Sequence, residues 1–196
     1  MQSRKKRDII RAYERRFFMR ITVISSSLRR NSNSETLADE FIRGAKESGN
    51  EAEKITLGGK KINFCIGCLS CQKTGRCVIK DDCAEINEKI HDAEVLVFAT
   101  PIYYYEMSGQ LKTVLDRANP LYGSDYRFKD VYVLSTAAED GEYVPKRAEE
   151  GVCGWIDCFE RARLAGTVFV GGVNDPGDIK GNEGLQKAYE LGKSIK

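Results

Sequence analysis

Residues 20–34 read Arg20-Ile-Thr-Val-Ile-Ser-Ser-Ser-Leu-Arg-Arg-Asn-Ser-Asn-Ser34. Arg20–Ser25 is short, apolar and rich in β-branched side chains, the pattern of a buried strand. A polar loop, Ser26–Ser34, follows it. From about Ser34 to Ser48 the apolar residues Leu37, Ala38, Phe41, Ile42 and Ala45 recur at helical spacing. Gly49-Asn50 ends that helix, and Ala52–Leu57 forms a second short strand. Strand, polar loop, helix and strand in this order open a parallel βαβ unit.

The alternation continues to the end of the chain. Residues 58–83 carry glycines, cysteines and lysines with little periodicity and form an insertion. Asp82 suits the N-cap of a helix over Cys83–His91. Glu94–Thr100 is mostly apolar, as the centre of a parallel sheet requires, and Pro101 is expected to end it. Ser108 caps a helix reaching Ala118. Asp130–Thr136, a helix over Ala148–Arg163, Thr167–Val173 and a helix over Leu185–Ile195 complete the pattern. The predicted fold is α/β, a doubly wound five-stranded parallel sheet of order 2-1-3-4-5 with the cysteine-rich insertion after strand 2. Its ligand site is expected at the carboxyl ends of the strands, near the switch point.

The chain has 196 residues, 41% of them apolar and 31% charged, which fits one globular domain without a transmembrane span. The net charge of +2 hides an asymmetry: residues 1–18 hold seven Lys/Arg against two Asp/Glu, so the rest of the chain is net negative. The basic balance therefore belongs to an N-terminal extension, and nucleic-acid binding is not expected. The extension has no apolar core and no small-residue cleavage site of a secretory signal. It reads as a loose segment, as the product of a start placed ahead of Met19, or as a short amphipathic helix for a membrane or partner surface. Residues 19–196 form the domain. Seven cysteines, four of them within thirteen residues and none behind a signal peptide, indicate a reducing, cytoplasmic setting and metal or redox use.

The loop after the first strand is suited to a phosphate. Helix N-terminal N–H groups point outward and the helix dipole favours an anion. Around them stand the hydroxyls of Ser26, Ser27, Ser32 and Ser34, the amides of Asn31 and Asn33, and the guanidinium groups of Arg29 and Arg30. There is no G-x-G-x-x-G and no G-K-[ST], which points to a mononucleotide; a plain polar turn is the other reading. Ile24–Ser34 resembles the phosphate loop of the NAD(P)H-dependent FMN reductase family, flavodoxin-like proteins, with Ser27, Arg29, Ser32, Asn33 and Ser34 at matching positions. Ser26, Leu28 and Ser34 depart from the usual glycine, proline and threonine.

Thr100-Pro-Ile-Tyr-Tyr-Tyr-Glu-Met-Ser-Gly-Gln-Leu-Lys-Thr-Val-Leu-Asp-Arg117 resembles the same family's P-x-Y-x-x-x-x-S-G-x-x-K-x-x-x-D-R segment. An aromatic loop offers a flat apolar surface to an isoalloxazine ring. The resemblance implies flavin contacts from Pro101, Ile102, Tyr103 and Tyr104, and from Ser135, Thr136 and Ala137 after the fourth strand. A surface or dimer patch is the other reading of the tyrosines. Lys112, Asp116 and Arg117 are scaffold or interface positions, and Glu139 and Asp140 are surface residues. The resemblance covers about residues 19–196 and implies FMN as cofactor.

Cys65, Cys68, Cys71 and Cys77 follow a C-x2-C-x2-C-x5-C spacing. Thiols at i, i+3 and i+6 let a compact loop turn around one cluster, with a fourth nearby. The spacing resembles the iron-sulfur flavoprotein branch of the family, which carries FMN and a [4Fe-4S] cluster. Zinc, which favours two separated C-x2-C pairs, and free thiols are the alternatives. Cys83 is a spare thiol, and Cys153 and Cys158 read as packing residues of the fourth helix. The sole histidine, His91, sits at a helix end as a capping or surface residue, and no pair of acid–base carboxylates stands out. No side chain is therefore assigned as catalytic, which suits chemistry carried by a cofactor. The resemblance implies NAD(P)H or a ferredoxin-like electron donor, a small-molecule or protein acceptor, and a homodimer or homotetramer. A cluster-free FMN or quinone reductase and a passive flavodoxin-type carrier are the rival functions.

Overall fold

A computed structural model describes residues 18–196, so the reading of the basic extension lies outside the described residues. Second from one edge of the sheet is β1 (Arg20–Ser25), whose apolar residues are all buried. It pairs in parallel with β2 (Glu51–Thr56) on one side and β3 (Val95–Tyr103) on the other. β3 is flanked by β5 (Asp130–Thr136), and β5 by β6 (Arg163–Val170). A two-residue strand, β4 (Glu106–Met107), folds back antiparallel on the end of β3. The parallel order is β2-β1-β3-β5-β6, the predicted 2-1-3-4-5 arrangement.

One face of the sheet is covered by α1 (Asn33–Glu47) and α6 (Glu183–Lys193). Their crossing depends on two glycines. A Cβ on Gly192 would lie 2.0 Å from the Phe41 carbonyl oxygen, and one on Gly44 2.0 Å from that of Tyr189. Both obstacles are backbone, so neither can swing aside. Gly192→Ala should therefore lower stability by about 2 kcal/mol, as overpacking of a rigid contact does, despite alanine's higher helix propensity. Equilibrium urea unfolding measures it, and an unchanged midpoint would show that the helices slide apart freely.

The other face carries α3 (Cys83–Asp92), α4 (Gly109–Arg117) and α5 (Lys146–Ile156), with the short α2 (Ser70–Thr74) inside the cysteine-rich insertion. Three elements depart most from their predicted bounds, and a fourth from its predicted cap. β3 does not end at Pro101. Its pairing with β1 stops at Ser25↔Ala99, so the missing proline N–H falls where that neighbour has gone. β5 continues alongside as far as Pro101↔Thr136. α5 ends at Ile156, not Arg163, because Phe159 turns inward onto Trp155 and Phe128, with ring centroids 4.5 and 5.2 Å away. Cys158 consequently lies beyond the helix and is exposed, not packed, while Cys153 remains half-buried on it. β6 starts at Arg163, four residues early, and carries a bulge. Leu164 faces Val131 and Gly166 faces Tyr132, leaving Ala165 as the extra residue. Asp82 occupies the N-cap of α3 without capping it. The neighbouring Asp81 accepts from Cys83 N (3.1 Å) instead.

His91, near the end of α3, holds two segments together. Its Nδ1 lies 3.0 Å from Asp92 and its Nε2 2.9 Å from Asp125. Both contacts favour the charged ring and raise its pKa above the usual value. The stabilisation is fully present below the unfolded pKa of about 6.5 and is lost as pH rises through the raised folded value. The gap in unfolding free energy between wild type and His91→Gln should be widest near pH 6, at under about 1 kcal/mol for so exposed a pair, and close as pH rises above the raised folded value. A gap that is flat with pH would remove the charge from this account.

Candidate flavin site

Serines join the phosphate loop to the tyrosine segment below the surface. Ser26 Oγ donates to the Ala99 carbonyl (3.1 Å), Ser108 Oγ donates to Ser26 Oγ (2.8 Å), and Ser108 N donates to Thr100 Oγ1 (3.0 Å). Ser108 also caps α4 through Leu111 N. Ser26, a departure from the family's glycine, thus has a structural role: it fixes the start of the loop to the start of α4.

Above this network, Ser32 is the N-cap of α1, accepting from Glu35 N at 3.2 Å. Among the described residues, no acceptor meets the backbone N–H groups of Asn33 and Ser34. The hydroxyls of Ser27, Ser32 and Ser34 surround this helix end and are themselves buried. Arg29 and Asn33 reach elsewhere. Arg29 Nη1 donates to the Asn174 carbonyl (2.8 Å). Asn33 donates to the Asp175 carbonyl (3.0 Å), and its Oδ1 accepts from Gly177 N and Ile179 N. The Asn33 side chain is therefore a clip between two loops, leaving its backbone N–H to face an anion.

These groups open into a cleft of about 140 Å³ at the carboxyl ends of β1, β3 and β5. Ser27, Arg29, Ser32, Asn33 and Ser34 form one end. Pro101, Ile102 and Tyr103 form one wall, and Thr136, Ala137 and Ala138 the other. Val173, Asn174 and Pro176 close it. Arg29 is the one charged side chain among these and no carboxylate joins it, so the cleft favours an anion at the serine end and a flat neutral group at the tyrosine end. Two predicted residues are not in the lining. Ser135 lies beneath it, with a buried Oγ that has no partner among the described residues. Tyr104 sits at the tip of the β3–β4 hairpin, 98% exposed. The segment 173–176 was not foreseen; its signal is the turn sequence Asn174-Asp175-Pro176-Gly177 after the last strand.

The cysteine-rich insertion is anchored at its base. Arg117, 1% exposed, forms a two-pronged ion pair with Asp81 (2.8 and 2.9 Å) and donates to the carbonyls of Asn63 (2.6 Å) and Ile79 (3.4 Å). Asp81 accepts in turn from the backbone of Asn63 (2.8 Å) and of Cys83 (3.1 Å). Both arms of the insertion are thereby tied to α4. Within it, Cys65 and Cys68 are exposed, Cys71 is buried with its Sγ accepting from Asn119 Nδ2 (3.1 Å), and Cys77 is half-buried. Backbone N–H donation at Ser70 lowers the Cys68 pKa, whereas burial pushes the Cys83 thiol up to about 12. Four thiols are the right donors for an iron-sulfur cluster. Their arrangement does not gather them: no group of three or more His, Cys, Asp or Glu is placed to hold a metal among the described residues.

Comparisons with known proteins identify the family and the fold. Residues 19–158 match the profile of the NADPH-dependent FMN reductase family. An iron-sulfur flavoprotein of Archaeoglobus fulgidus is 34% identical over 90% of this chain and 79% of its own. One from Methanocaldococcus jannaschii is 32% identical over 90% of this chain and 95% of its own. In fold, an NAD(P)H:quinone oxidoreductase from Methanothermobacter marburgensis superposes with a TM-score of 0.69 at 19% identity, over 91% of this chain and all of that one. An FMN-dependent NADH-azoreductase from Bacillus anthracis, solved in complex with FMN, gives 0.60 at 18% identity over 89% and 95%.

Proposed function

Since the chain belongs to the NADPH-dependent FMN reductase family and is an oxidoreductase of that kind, we propose that the cleft above β1, β3 and β5 is its FMN site. The observation carrying this reading is the α1 N-terminus. Two uncommitted N–H groups and three serine hydroxyls converge there with one arginine and no carboxylate, facing a tyrosine-bearing wall. In this reading Ser27, Arg29, Ser32, Asn33 and Ser34 hold the phosphate, and Pro101, Ile102, Tyr103, Thr136 and Ala137 border the ring. Bound FMN supplies two-electron and one-electron redox chemistry. The protein orients it, neutralises its phosphate and leaves one side of the ring open to a donor such as NAD(P)H.

The names of the relatives and the cysteine spacing support a [4Fe-4S] cluster on Cys65, Cys68, Cys71 and Cys77. The dispersed thiols favour the second reading, a cluster-free NAD(P)H-dependent reductase. The insertion also carries Lys60, Lys61, Lys73, Arg76 and Lys80 with no carboxylate before Asp81, a charge that would attract an acidic protein donor. Exposed Phe64, Ile66, Tyr103 and Tyr104 suit a contact between copies in a homodimer or homotetramer. No helix among the described residues is long and apolar enough to cross a membrane; we place the protein in the cytoplasm, where thiols stay reduced.

The test is anaerobic purification of the full chain with FMN, iron and acid-labile sulfide counted per chain, followed by turnover with NADH or NADPH. FMN with about four irons and four sulfides supports the cluster reading, and FMN alone the cluster-free one. Absence of FMN uptake would overturn the site. FMN bound without turnover would make the protein a passive carrier.

A further inference from the structure

We propose that Glu139 is a positioning residue that latches the tyrosine turn across the mouth of the cleft and so sets access for the second substrate, a planar electron donor or acceptor. The proposal rests on the cleft being the FMN site. Its carboxylate accepts from Tyr105 Oη at 2.9 Å and from Tyr143 Oη. Tyr105 stands two residues beyond Tyr103, and Glu139 one residue beyond Ala138, so the latch joins the ends of the two walls that face each other across the cleft.

The two sides of the latch differ in rigidity. On the Glu139 side the backbone is buttressed: a Cβ on Gly171 would meet Asp140 Oδ1 at 2.5 Å, Asp140 Cα at 2.6 Å and the Glu139 carbonyl at 2.8 Å. The loop after β5 is thus pressed against the loop after β6. On the other side Tyr104 and Tyr105 have φ of 52° and 67°. A two-residue hairpin turn needs such angles, and Asn-Gly is the pair that adopts them readily. Two tyrosines adopt them at a cost on the order of 1 kcal/mol each. The turn's exposed tip offers little packing to offset that cost. Beneath the tip the turn is closed by the β3–β4 pairing; at the tip itself it is held by the Tyr105 hydroxyl on Glu139, with the Arg147 guanidinium 5.9 Å from the Tyr105 ring. The hydrogen bonds lower the Glu139 carboxyl and raise both tyrosines, so the ionised acceptor and protonated donors found at neutral pH are favoured further. Releasing the carboxylate loosens the turn and with it the placement of Tyr103, which lines the cleft.

The experiment uses the FMN-loaded protein as Glu139→Ala, Glu139→Gln, Tyr105→Phe and the Tyr105→Phe/Glu139→Ala double variant. FMN affinity comes from flavin fluorescence, and KM and kcat from NADH or NADPH with a soluble quinone. The expected result for Glu139→Ala is a five- to tenfold shift in KM for the nicotinamide or the quinone, FMN affinity within threefold of wild type, and unchanged Tm. Glu139→Gln should recover much of the KM, and the double variant should be no worse than Glu139→Ala. Unchanged KM in Glu139→Ala, equal additive losses in the double variant, or FMN affinity falling as far as KM rises would each overturn the latch. Because Tyr105→Phe removes only the donating hydroxyl and keeps the ring, it should give the same KM shift and tests the same claim if the alanine variant folds poorly. A wild-type chain that takes up no FMN would instead refute the site on which the latch depends.

Discussion

Arg117→Met should destabilise the protein by about 3–5 kcal/mol, the cost of leaving one member of a buried ion pair without its partner. Here the orphan would be Asp81, whose side chain is only 3% exposed. The carbonyls of Asn63 and Ile79 would lose a donor at the same time. The change should read out twice. Urea unfolding should shift to lower concentration, and proteolysis within residues 63–81 should begin before the rest of the domain opens, since the ion pair ties both arms of that insertion down. The acid limb of stability gives an independent check. The Arg117 guanidinium holds the Asp81 carboxyl well below the usual carboxylate range. A depressed folded pKa contributes stability that is complete above the unfolded value of about 3.9 and is lost as pH falls towards the folded value. Wild type should therefore lose stability on acidification below about pH 4, and Arg117→Met should lack that component. A variant as stable as wild type with the same acid profile would show that the pair is incidental.

The anchoring by Arg117 shows what the sequence could reveal and what it could not. Its place in a helix after the tyrosine segment was legible, because Ser108, Leu111, Val114 and Leu115 set a helical register from their spacing alone. The scaffold role was legible as well. Its partner was not: Asp81 lies 36 residues away, and only the closed insertion brings them together. The same division holds across the sheet. Strand existence and order followed from apolar runs between loops, whereas the ends of β3 and β6 are set by neighbours, through Thr136 beside Pro101 and Asp130 beside Arg163. At the candidate site, the serines and the Pro101–Tyr103 wall were readable because they are local to one loop each. Asn174 and Glu139 were not, since their roles exist only where separate βα loops converge. The place of Tyr104 at a hairpin tip was not legible, because periodicity cannot reveal a hairpin whose central pair, two tyrosines, contradicts the usual turn chemistry.

Ser32→Asp should weaken FMN binding a hundredfold or more while leaving the fold intact. Aspartate is as good an N-cap as serine, so the bond now made by Glu35 N to Ser32 Oγ has a replacement. A carboxylate there also meets the positive end of the α1 dipole, worth about 0.3–1 kcal/mol to the empty protein. The same charge would sit among Ser27, Ser34 and the free N–H groups of Asn33 and Ser34, where the phosphate is proposed to bind. Two unit charges about 4 Å apart repel by about 4 kcal/mol at an effective dielectric constant of 20, and part of this is screened at the open cleft. About 3 kcal/mol remains a reasonable expectation, which is the hundredfold loss. The two effects have opposite signs: Tm of the flavin-free protein holds or rises while FMN affinity falls. Riboflavin separates phosphate repulsion from damage to the ring site, because it carries the same ring and no phosphate. Its weaker affinity should change by less than about threefold, under 1 kcal/mol, when both ligands are titrated by fluorescence into wild type and variant. If FMN and riboflavin weaken together, the serine loop is shaping the ring site and the phosphate binds elsewhere. If neither weakens, this helix end does not receive the phosphate, and the converging hydroxyls serve only to join α1 to the loops that Asn33 and Arg29 already hold.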